Sequence, residues 1–121
     1  MLNLILETLE SCEDYIPRLI EAALNISNCL QSGDEAAGVQ LFHPMFEGLN
    51  WLAEAVDALQ KHHYLQDIHV SELNQVLKPL EEALEVRDYV QIADIFEYEL
   101  VPLLESWHDK VRALYAQLKV M

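Results

Sequence analysis

Five histidines, two cysteines and 21 acidic residues are the side chains with chemistry to offer in this 121-residue chain. Glu105-Ser-Trp-His108 is an E-x-x-H, the pairing that di-iron carboxylate bundles use to hold metal. Such a site needs a second pair and two further glutamates, and there is no second E-x-x-H. His43-x-x-x-Glu47 has the spacing of one turn, but no H-x-x-x-H accompanies it. Heights along the helices count against a shared ion. Measured from Gly33 and Asp88 at 1.5 Å per residue, His43 stands about 14 Å up, His108 about 30 Å and His63 about 44 Å. His62, His63 and His69 could converge as an open three-histidine site, which would make the chain a metal-dependent helical-bundle enzyme. The plainer expectation is solvated loop histidines, with no metal, no cofactor and no catalytic residue. No Gly-rich phosphate loop and no G-x-S-x-G is present. Glu99, between Phe96 and Leu103, sits at the edge of an apolar seam; it reads as a boundary acid paired with an Arg or a Tyr hydroxyl, the alternative being a half-buried acid.

The elements that must carry these groups are helices. Leu2, Ile5, Leu9, Cys12, Ile16, Leu19, Ala23, Ile26 and Leu30 step by three and four without a break. Gly33 supplies a stop and Asp34 an N-cap. Val39, Phe42, Phe46, Leu49, Ala53 and Val56 repeat the stepping on a second helix. The stretch 62–70 loses it and reads as a connector. Ser71 is placed to cap a third helix with the seam Leu73, Leu77, Leu80 and Leu84. Asp88 is placed to cap a fourth, with the seam Ala93, Phe96, Leu100, Leu103, Trp107, Val111, Leu114 and Leu118. Short loops between four helices predict an all-α, antiparallel up-down-up-down four-helix bundle, one domain over 1–121. Each helix carries one proline: Pro17, Pro44, Pro79 and Pro102. Pro17 lies within an unbroken seam and predicts a kink rather than a break.

Composition sets outer bounds. The net charge is −14, with seven Lys and Arg, so a phosphate backbone or an anionic membrane surface would be repelled. MLNLILETLE lacks the basic start of a signal peptide, and no apolar run reaches the length of a membrane span. Cys12 and Cys29, on one helix, lie about 25 Å apart and cannot pair. Free thiols and no leader predict a cytoplasmic protein.

The second helix carries more apolar surface than one seam needs. Leu41, Met45, Gly48, Leu52, Ala55 and Leu59 form a second stripe, with Trp51 beside it. Its polar residues are confined to a single row: Gln40, His43, Glu47, Asn50, Glu54 and Asp57. Ordinary burial between two neighbours would explain that. The sharper reading is a surplus face for another helix, with Met45, Gly48, Trp51, Leu52 and Ala55 binding a protein partner or a second copy as a homodimer.

Two short patterns recur. Leu30-x-x-Gly33-Asp34 matches Leu84-x-x-Arg87-Asp88, and Pro44-Met-Phe-Glu47 matches Pro102-Leu-Leu-Glu105. They suggest two related helical hairpins, 1–63 and 70–121. The segments Ala93–Trp107 and Phe46–Leu52 resemble small acidic helical proteins of Gram-positive bacteria that are grouped as a domain of unknown function. The resemblance implies an all-helical cytoplasmic protein and transfers no active-site residue. Together these features predict a non-enzymatic interaction module, such as an adaptor, a small chaperone or a homodimer.

Overall fold

The computed structural model describes residues 1–120. Four helical rods form an all-α bundle, and no strand occurs among the described residues. The first rod is α1 (Leu2–Gln31). The second is split into α2 (Glu35–Gln40) and α3 (Phe42–Lys61). The third is α4 (Ser71–Glu85). The fourth joins α5 (Tyr89–Ile95), a π-helical turn (Phe96–Leu100) and α6 (Val101–Lys119).

Each of three rods ends in the same device. The residue after the helix takes a left-handed backbone, at Gly33 (φ 84), His63 (φ 66) and Arg87 (φ 53). The next N–H then reaches back five residues: Asp34 to Cys29, Tyr64 to Leu59 and Asp88 to Ala83, at 2.8–3.0 Å. These are Schellman caps, which satisfy carbonyls the helix leaves bare. The following acids behave differently. Asp88 caps α5, accepting from the Gln91 N–H at 3.2 Å, whereas Asp34 makes no side-chain bond. Ser71 is the first residue of α4 and not its cap; that place belongs to Val70.

The prolines meet different fates. A helical proline lacks the N–H for the carbonyl four residues back and crowds it. Pro44 should bond Gln40, and Gln40 is where α2 stops. Pro17 stands inside an unbroken α1, and the carbonyl it deprives is that of Glu13. His108 Nε2, reaching across from α6, lies 3.2 Å from that oxygen and as N–H donates to it. Pro102 follows the π-turn, whose wider repeat is marked by the Val101 N–H bonding the Phe96 carbonyl. Leu104 is fully buried and takes the core position expected for Leu103, which is only half-buried, while Trp107, Val111 and Leu118 keep the expected seam.

The core runs the length of α1, where Ile5, Leu9, Cys12, Ile16, Leu19, Ala23, Ile26 and Leu30 are all buried; Leu2, at the head of the expected seam, is exposed. The fourth rod contributes Phe96, Leu100, Leu104, Trp107 and Val111. Leu65 and Ile68 of the connector plug the open end. Gln60 holds that plug, donating from Nε2 to the carbonyls of Leu65 (2.9 Å) and Ile68 (2.6 Å). Contacts pair Leu30 with Gly38, Leu19 with Gly48, Ser27 with Glu97 and Glu13 with His108. Numbers fall along α1 as they rise along α2, α3 and the fourth rod.

Candidate functional site

The residues with the most obvious chemistry are not assembled. His62, His63 and His69 are all exposed on the connector. No group of three or more His, Cys, Asp or Glu side chains is gathered tightly enough for a metal ion among the described residues, so the three-histidine site is not formed. The left-handed turn at His63 and the caging of Leu65 and Ile68 orient this loop around its apolar plug, leaving the imidazoles in water. Glu105 is exposed while its E-x-x-H partner His108 points to α1, so that pair is not formed either. His43 and Glu47 make an exposed ion pair one turn apart on α3.

Glu99 is exposed, contrary to expectation. The half-buried acid of the fourth rod is Glu97, one helical turn after buried Ala93 and facing α1 with it. Glu97 Oε2 accepts from Gln31 Nε2 at 3.0 Å and lies 3.3 Å from Ser27 Oγ, which also faces the Ala93 carbonyl at 3.2 Å. This polar clasp fastens the fourth rod to α1. Both cysteines are free, as their spacing requires. Burial pushes the Cys12 thiol up to about 11, so it stays protonated and inert.

The second apolar stripe of α3 is spent inside the chain. Met45, Leu52 and Leu59 are buried in the core, and so is Gly48. The expectation that Met45, Gly48 and Leu52 face a partner is therefore corrected: Met45 and Leu52 lie in the bundle core, and α1 side chains close over Gly48. A Cβ on Gly48 would come within 2.6 Å of both the Leu19 Cδ2 methyl and the Tyr15 hydroxyl. Gly48 thus serves a close approach, but the helix that approaches is α1.

Trp51 is different. It is 40% exposed, and Ala55 beside it is half-buried. The Tyr15 ring meets the indole edge to face, with centroids 5.2 Å apart, and holds it upright at the α1/α3 seam. Two shallow grooves flank it. One, of about 650 Å³, is bounded by Ser11, Asp14 and Arg18 of α1 and by Pro44 and Glu47 of α3. The other, of about 400 Å³, is bounded by Leu4, Glu7 and Thr8 of α1 and by Glu54 and Ala55 of α3. Ser11 and Trp51 line both, so the grooves form one furrow. Its walls hold no histidine or cysteine. What it offers is an exposed indole among carboxylates, which is recognition chemistry.

The α1 half of this furrow escaped the sequence reading. Leu4, Thr8, Ser11, Tyr15 and Arg18 also step by three and four, off the main seam. Only Leu4 and Tyr15 are apolar, which makes the row faint.

Comparison with known proteins adds a family and no activity. No curated protein matches the chain, and no solved structure does. No helix among the described residues is long and apolar enough to cross a membrane. A family model described as a domain of unknown function (DUF8042) matches residues 7–110, and the chain belongs to that family.

Proposed function

We propose that this chain is a non-enzymatic protein-interaction module, of the adaptor or small-chaperone kind, acting through the α1/α3 furrow. The observation that carries this reading is Trp51. A large indole costs free energy to leave in water, and buried tryptophans are frequent anchors of protein interfaces. Here Tyr15 fixes its orientation, so little side-chain freedom would be lost on binding. The bundle behind it is read as antiparallel, up-down-up-down, which the opposed contacts along α1 support and which gives the furrow two rigid walls.

A photo-crosslinking amino acid placed at position 51 in cells tests this. The expected result is one discrete adduct that is absent when the same group replaces Val86, an equally apolar but remote exposed residue. No adduct at 51, or the same smear at both positions, would remove the proposal.

A further inference from the structure

The geometry points to the occupant of the furrow: a cationic amphipathic helix of a protein partner, about three turns long. This rests on the interaction-module reading above and goes on to name the class of partner.

The walls set the shape. Both are α-helices, and no strand edge exists among the described residues to template an extended peptide. From Pro44 to Ala55 the α3 wall runs 11 residues, about 16 Å at 1.5 Å each, which is three turns of a docked helix. Apolar surface along it is limited to Leu4, Trp51, Pro44 and the edges of Tyr15 and Ala55. They match one narrow apolar face and no more.

Charge sets the sign. Glu7 and Glu54 stand on opposite walls beside Trp51, with no cation on that stretch. Glu54 accepts only from Asn50, and neither acid has an ion-pair partner among the described residues. Beyond Trp51, Asp14 and Glu47 face the single cation Arg18, and Glu47 is already engaged by His43. An indole face flanked by free carboxylates suits a Lys or Arg lying over the ring. It opposes a second copy of this chain, which would bring the same acids and a charge of −14. The ligand's cations therefore belong at the Leu4 end, over Glu7 and Glu54.

The test uses a fluorescent helical peptide with leucines on one face and lysines on the other. Its comparator has the same composition scrambled so that no face forms. Anisotropy should show the helical peptide binding and the scrambled one at least about 10-fold weaker, the effect of losing a central anchor. Trp51→Ala should weaken binding by a similar factor, about 10-fold or more, as hot-spot truncations do. Trp51→Phe should fall between, which keeps the test valid if the alanine variant folds poorly. Glu7→Gln with Glu54→Gln should cost about 3- to 10-fold and flatten the salt dependence. Glu81→Gln with Glu82→Gln, exposed on α4, should leave binding unchanged. Equal binding of the scrambled peptide, or equal weakening by the α4 pair, would reduce the effect to general attraction by an acidic protein and overturn the inference. A discrete crosslink at position 51 to a second copy, or to a partner lacking a basic helix, would overturn it while leaving the interaction module standing. No crosslink and no peptide binding would remove both.

Discussion

Two seams run down α1, and they are built to opposite ends. Against the fourth rod the seam is closed over much of its length, with a groove of about 420 Å³ beside Glu13, Arg112 and Tyr115. Trp107 is 1% exposed, Glu97 clasps Ser27 and Gln31, and His108 reaches the bare Glu13 carbonyl. Against α3 the contact is narrower. Gly48 leaves room for the Leu19 and Tyr15 side chains at one level, and Trp51 beside it stands exposed over two grooves. Each seam has one tryptophan; one is core and the other is surface. The difference shows that the residue type does not decide the role. What decides it is whether the neighbouring helix has side chains long enough to close over the ring. At Trp51 the α1 neighbours are Ser11 and Tyr15, and Ser11 is too short to cover an indole.

The contrast can be broken hardest at Phe96. It is fully buried in the π-turn and stacks on Phe42 with centroids 6.1 Å apart, so it ties the two halves together. Phe96→Ala should cost about 3–5 kcal/mol in denaturant unfolding, the range for a buried Phe. A loss below about 1 kcal/mol would mean that the seam is not sealed there.

The cysteines of α1 repeat the contrast on a smaller scale. Cys12 is buried and its thiol is raised from 9.0 to about 11, whereas Cys29 is half-buried. Native protein at mildly alkaline pH should alkylate at Cys29 first, and denaturation should release both thiols. The unfolded thiol ionises at the lower pH, so the unfolded state holds fewer protons between 9 and 11. Stability should therefore fall across that window, by at most about 2–3 kcal/mol, and Cys12→Ala should abolish that part of the fall. An unchanged slope in Cys12→Ala would show that the thiol does not titrate this way.

At the open seam Gly48→Ala is the sharp probe. Its Cβ would meet the movable ends of Leu19 and Tyr15, and the helix preference of Ala over Gly offsets part of the crowding, so a loss of no more than about 1 kcal/mol is expected. Trp51→Ala should likewise change stability much less than Phe96→Ala. A loss above about 3 kcal/mol in Gly48→Ala would show that those two side chains cannot move aside.

His108→Ala should cost about 1 kcal/mol by leaving the Glu13 carbonyl without its donor. The cost should shrink in a Pro17→Ala background, where the helix supplies its own N–H. Additive losses in the double variant would separate the two. The smallest effect should be a gain. Arg87 holds φ 53 where the first hairpin uses Gly33, so Arg87→Gly should stabilise by about 0.5–1 kcal/mol. A loss of stability would show that Arg87 does more than occupy the turn.

Much of this architecture is legible in the chain. The α1 seam from Ile5 onward, the stop at Gly33, the Asp88 cap and the connector at 62–70 all follow from local rules of period and turn chemistry. The proline effects were half legible. A proline names the carbonyl it deprives, so Glu13 and Gln40 could be picked out in advance. The outcome differs at each site: the Glu13 carbonyl meets His108 within an unbroken α1, α2 ends at Gln40, and α4 runs unbroken through Pro79. Two assignments on the fourth rod moved by one or two positions, Leu104 for Leu103 and Glu97 for Glu99, because a stepping of three or four leaves the choice between adjacent residues to the neighbouring helix.

The furrow was legible on one side only. Its α3 wall follows from the crowding of apolar residues around Trp51, but crowding does not say which of them remain in water. Sequence by itself determined that α3 has too many apolar residues for one neighbour, that Cys12 and Cys29 cannot pair, and that any ligand must tolerate a strong negative field. Tertiary structure alone decided that the core takes Met45, Gly48 and Leu52 and leaves Trp51 exposed. The reason is physical. Periodicity is a property of one helix, fixed by its 3.6-residue turn, whereas burial belongs to a pair, fixed by the length and placement of the side chains on the other helix.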